Sequence, residues 1–238
     1  NNHSKQTMMR SIVFIIIISI AGQSSLGQAT INQALKKELD SIYIQDQKFR
    51  DLISSDLLRL KSDSIADSYK IPQADLLNFI IKQIPLIDSA NLLRVEQIIA
   101  KHGYPGKTLV GIPTNEAAFY VIQHSKNIDK YLPVVKEAAD QKELPFTLYA
   151  MMLDRSLMYN GQEQVYGTQG KGLNVKDPVT GNESFTMIIW PIKDAAHVNE
   201  LRKKVGFKLT VEENATEMGI EYKMLTLTDV KTMQGPSQ

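Results

Sequence analysis

Cysteine is absent from the 238 residues. That excludes disulfides, thiolate metal sites, a cysteine nucleophile and a lipid-modified N-terminal cysteine, so stability has to come from packing. Histidine is scarce: His3, His102, His124 and His197 stand far apart. Neither a His-Glu-x-x-His helix nor a three-ligand cluster supports zinc, and no metal and no cofactor is expected. A phosphate-cradling Gly-rich loop and a Gly-x-Ser-x-Gly elbow are both missing, which removes nucleotide binding and the hydrolase nucleophile motif. Charge of one sign is also lacking, with 27 basic against 26 acidic residues, so there is no electrostatic footprint for nucleic acid.

The one strongly apolar run, Ile12 to Ile20, follows Lys5 and Arg10 and precedes small and polar residues through Gly27. It is too short to span a bilayer, which takes roughly 20 residues, and has the outline of a signal peptide over residues 1–27. Cleavage after Gly27 would leave Gln28 as the N-terminus and no membrane span. Retention as an N-terminal anchor is the alternative. Met8 and Met9 sit just before the basic and apolar parts, so Asn1 to Thr7 are read as preceding the start. The expected location is exported, periplasmic or extracellular. Without Lys5 and Arg10 the balance becomes 25 basic against 26 acidic residues.

The whole chain is 43% hydrophobic and 22% charged, and the part after Gly27 is long enough for one sizeable core. The spacing predicts a mainly α, multi-helix single domain over 28–220 with a small β-hairpin late in the chain, at 164–190, and a weakly structured tail over 221–238. Thr30 and Gln33 have capping-box spacing ahead of a long first helix through Ile53. Lys61 to Lys70 reads as a connection, and Pro72 opens a helix that Pro85 ends. Asp88 then caps a further helix that runs to His102 and stops at Gly103. Thr114, Pro133 and Pro145 open three more. After Asn160-Gly161 the pattern turns extended, with a turn between Asp177 and Asn182. Asp194 caps a helix with Val198, Leu201 and Val205 inward and Gly206 as its stop, and Thr210 with Glu213 forms a second capping box.

Buried polarity concentrates between Pro145 and Gln169. Asp154 lies among apolar neighbours on its helix and, buried without a partner, would cost several kcal/mol. It therefore faces water, clamps the loop over Gln162 to Gln169 through backbone N–H groups, or floors a polar pocket. Arg155 points away from it, since adjacent helical residues do not share a face. Asp46 and Arg50 do share one, with Gln47 between them. His124 sits on an apolar stripe with Ala117 and Val121, as a core histidine or as an acid/base group.

The series Asp46-Gln47 with Arg50, Gln123-His124, Asp154-Arg155, Gln164 with Tyr166-Gly167-Thr168-Gln169, and Pro191-Ile192 with Asp194 resembles a family of uncharacterised bacterial domains, DUF6624. The likeness runs from about Leu39 to Gly206, leaving out Lys61 to Ile84 and the tail. It implies that these polar residues belong to one shared site or scaffold. Two functions follow as expectations. In the first, the chain is a ligand-binding or scaffold domain of the cell envelope, holding a small polar ligand or an envelope component through Asp46, Gln47, Arg50, Gln123, Arg155, Tyr166, Thr168 and Gln169. In the second, it is a metal-independent hydrolase of an envelope polymer, with His124 as acid/base and Asp154 as its partner.

Overall fold

The computed structural model describes residues 30–54, 56–176 and 182–234. The signal-peptide, hairpin-turn and extreme C-terminal expectations fall outside these ranges. Among the described residues the chain is 64% helical, with ten α-helices and one two-stranded antiparallel sheet, as the patterning predicts. No helix among them is long and apolar enough to cross a membrane.

Helix α1 spans Gln33–Ser54. Its first turn is held by Asn32, whose Oδ1 accepts the Leu35 N–H at 3.0 Å. Two further helices, α2 (Leu57–Tyr69) and α3 (Leu76–His102), depart from the sequence expectation. The polar stretch after Lys61 is helical, and Pro85 lies inside α3 rather than ending it. A proline forfeits one ladder bond, but α3 is anchored on both sides of it. Leu76 and Ile80 pack with Phe49 and Ala66, while Val95 and Ile98 join the main core. Each fully buried aliphatic side chain contributes about 2 kcal/mol, which outweighs the missing bond. Asp88 consequently sits mid-helix, and its carboxylate is free to pair elsewhere.

The short helices α4 (Lys107–Val110) and α5 (Ala117–Ile122), with α6 (Leu132–Asp140) and α7 (Phe146–Tyr159), complete the helical body. Leu39, Val95, Val110, Phe119, Ile122, Val135 and Met152 form its centre. Strands β1 (Gly170–Lys176) and β2 (Glu183–Ile189) pair in register from Gly170 with Ile189 to Lys176 with Glu183. Alternation along the hairpin sends its residues into two cores. Leu173, Ile188 and Trp190 pack with Met158 of α7, whereas Ile189 packs with Ile192, Val198, Val211 and Ala215.

Helix α8 (Val198–Val205) ends at Gly206 with φ of 98°, and α9 (Val211–Glu217) carries the Thr210/Glu213 capping box with both reciprocal bonds. Beyond Glu221, where the sequence pattern fades, α10 (Leu227–Gln234) inserts Val230 beside Trp190. Eight residues with one buried anchor carry too little periodicity to stand out in the sequence.

Candidate functional site

Two polar assemblies meet between α1, α5, α7 and the segment ahead of β1. The first is the loop clamp. Asp154 on α7 is fully buried, and its carboxylate accepts the N–H groups of Val165 at 2.7 Å, Tyr166 at 3.1 Å and Thr168 at 3.0 Å, with the Thr168 hydroxyl also at 3.0 Å. Burial raises its pKa, and the loop donors pull it back. Gln164, equally buried, donates to the Gln169 and Trp190 carbonyls and accepts the Gln169 N–H, fastening the loop to β2. Gly167 has φ of +67°, and a Cβ there would lie 2.7 Å from both Ile192 and Val211, so only glycine suits the turn.

Arg202 of α8 completes this clamp and was not singled out in the sequence. It is 2% exposed, donates to the Leu209 and Tyr166 carbonyls at 2.8 Å each, and stacks on Phe207 at 4.6 Å. The available signal was periodicity, because Arg202 lies four residues after Val198 on the buried stripe. Tyr166 and Thr168, predicted as ligand donors, serve the clamp through their backbone groups and, for Thr168, its hydroxyl.

The second assembly surrounds His124. On α1, Asp46 is 1% exposed. Gln47 donates to its Oδ2 at 2.7 Å, and Arg50 donates to its backbone carbonyl at 2.8 Å while its guanidinium lies 3.5 Å from Oδ1. Arg50 also forks onto both oxygens of Asp88 at 2.8 Å. Capping is the one role that its spacing predicts for Asp88; nothing in the sequence alone ties it to Arg50, 38 residues away. At the end of α5, His124 places Nε2 3.6 Å from Asp46 Oδ2. Neither that Nε2 nor Asp46 Oδ1 has a hydrogen-bond partner, and both are sealed from water. Burial raises the Asp46 pKa to about 6. Burial, then the Arg50 charge, lowers that of His124 to about 4, with Arg155 acting in the same direction.

Arg155 ties Gln169 to Gln123, the residue before His124. It donates to the Gln123 carbonyl at 3.2 Å and side chain at 3.4 Å, and to Gln169 Oε1 at 3.1 Å. Gln169 continues to Thr168 Oγ1 at 3.0 Å, which itself bonds Asp154. Gln123, Arg155, Gln169, Thr168 and Asp154 are thus bonded into one network and Gln47, Asp46, Arg50 and His124 cluster in another, so His124 and Asp154 do not pair: the carboxylate facing the imidazole belongs to Asp46. No carboxylate among the described residues makes an ion pair with Arg155. No group of three or more His, Asp or Glu side chains among them is placed to hold a metal ion.

A family model covers residues 46–222, which takes in every residue of both assemblies. The chain belongs to the family of unknown function DUF6624. The DUF6624 match runs past Gly206 through α9 and spans the region of α2 that the resemblance leaves out. It opens at Asp46, the residue that faces His124. No curated protein and no solved structure matches the chain.

Proposed function

We propose that this DUF6624 chain is a ligand-binding domain of the bacterial cell envelope, taking a small polar anionic ligand where Arg155, Gln123 and His124 meet. The observation that carries the reading is an imbalance. Asp46 and Asp88 both serve Arg50, and no carboxylate among the described residues pairs with Arg155, which lies near a sealed His124 Nε2 that has no hydrogen-bond partner among them. Buried polar atoms are normally satisfied, and each that is not costs about 1–3 kcal/mol, a penalty that persists where a bound group relieves it. With Asp154, Gln164 and Arg202 occupied by backbone, the clamp is the rigid support for that edge. The envelope location rests on the signal pattern around Ile12 to Ile20.

Isothermal titration of the mature chain against small mono- and dicarboxylates and acidic sugars tests the reading. Arg155→Met should weaken any hit by about tenfold or more, while circular dichroism stays unchanged. Binding indifferent to both Arg155→Met and His124→Asn would remove the site. Recovery of a periplasmic form beginning at Gln28 would support export.

Turnover is the second reading, favoured by one observation: Asp46, with a pKa near 6, stands beside His124. Closing the gap by about half an ångström would give a hydrogen-bonded acid/base pair, a tightening that ligand binding commonly produces. Mass spectrometry of the bound ligand before and after incubation separates a binder from a hydrolase.

A further inference from the structure

A cavity opens between α1 and α5, about one turn before Asp46 on the first and beside Ala117 and Tyr120 of the second. Its volume is about 130 Å³, and it is lined by Asp40, Tyr43, Pro113, Thr114, Glu116, Ala117 and Tyr120. That space is suited to a compact ion. Two aromatic rings lie in the lining: Tyr43 and Tyr120 are 5.3 Å apart, centroid to centroid, and tilted at 56° to each other. Tyr43 is 38% exposed, so the cavity is reached from solvent on that side.

Its charges do not cancel. Asp40 is matched by Lys36 at 2.7 Å and accepts the Thr114 hydroxyl at 2.6 Å. Glu116 has no cationic partner among the described residues; its one side-chain contact is a long bond from the Tyr120 hydroxyl at 3.4 Å. The cavity therefore keeps one negative charge beside two aromatic rings, and carboxylate and π-system alike attract a cation.

We propose that this cavity binds an alkylated ammonium group. Asp40 and Thr114 are already engaged with Lys36 and with each other, which leaves Glu116 as the lining carboxylate free of a cation beside the carbon surface of Tyr43, Tyr120, Pro113 and Ala117, whereas a primary ammonium carries three donors that each need an acceptor. A fully alkylated nitrogen needs none and is held by the rings and the Glu116 charge. The site rests on residues that the anionic site does not use, and it stands or falls independently of that reading.

The test is calorimetric titration of the full chain with tetramethylammonium chloride against ammonium chloride at matched ionic strength, with tert-butanol as a neutral molecule of similar shape. Saturable binding of tetramethylammonium alone is expected, weakened about tenfold or more by Glu116→Gln and by Tyr43→Leu, two partly exposed positions whose replacement leaves the core intact. Tyrosine ring resonances should shift on titration and stay still in the variants. Absence of saturable binding overturns the proposal. Equal binding of ammonium or tert-butanol, or unaltered affinity in both variants, does so as well.

Discussion

His124 Nε2 lies 3.6 Å from Asp46 Oδ2, while the Asp154 carboxylate is turned to the amides of Val165, Tyr166 and Thr168. The carboxylate is buried and the imidazole half-buried with its Nε2 sealed, and burial favours the uncharged form of each. Asp46 is shifted up from 3.8 to about 6, and His124 down from 6.5 to about 4. Native Asp46 takes up a proton as pH falls through about 6, before the unfolded chain does, so acidification over that window stabilises the fold. Unfolded His124 takes up its proton near 6.5 and the native ring resists to about 4, so the same acidification destabilises it.

These opposed effects nearly cancel in the native protein, and removing either group should expose the other. From about pH 7 to about pH 4.5, His124→Asn should gain on the order of 2 kcal/mol relative to the parent chain, and Asp46→Asn should lose a similar amount. Urea unfolding at the two pH values checks this. Parallel behaviour of all three proteins would show that the pair does not titrate as described.

The Asp154 clamp predicts a local effect. Asn keeps the shape but turns an NH₂ group toward donors, leaving at least one buried N–H without an acceptor. Asp154→Asn should cost about 2–3 kcal/mol. Amide exchange should quicken at Val165, Tyr166 and Thr168 before it does in α1 or α3. Unchanged protection at those three amides would mean that the carboxylate does not hold the loop.

Arg50 predicts an effect at a distance from itself. It is the cation shared by Asp46 and Asp88 and the main charge that depresses His124. Arg50→Met should therefore raise the His124 pKa from about 4 toward its ordinary value, as read by NMR titration of the ring. The variant should also cost about 2–4 kcal/mol, because the buried Asp46 loses its compensating charge. Asp88→Asn should cost about 1 kcal/mol, since its side chain is a quarter exposed and water can replace part of the pair. A His124 titration that ignores Arg50→Met would contradict the electrostatic account.

The helical body, the late hairpin, the Gly206 stop and the Thr210/Glu213 box were legible because periodicity and capping are local signals. Three features were not. Pro85 suggests a helix end, but packing on both sides carries α3 through it, and only tertiary contacts record that. The pairing of His124 with Asp46 rather than Asp154 depends on how α5 crosses α1, which spacing does not encode. Arg202 sits in a run, Arg202-Lys203-Lys204, that composition marks as solvated, and its burial comes from carbonyls 7 and 36 residues away. The Asp154 clamp on the loop after Gln162 was one of the readings that the sequence offered, while the contact of His124 with Asp46 was not.

That burial makes Arg202 a sharp test of whether charge or geometry holds the loop. Two carbonyls, of Leu209 and Tyr166, are met by different nitrogens of one planar fork, and the fork lies against Phe207. Lysine keeps the charge but concentrates its donors at one point and cannot stack as a plane. If the fork is what matters, Arg202→Lys should cost about 2–4 kcal/mol, within about 1 kcal/mol of Arg202→Met, because each strands a buried carbonyl. Chemical denaturation of the two variants at neutral pH decides it. If Arg202→Lys stays within about 0.5 kcal/mol of the parent chain, charge alone suffices and the stacked fork is incidental.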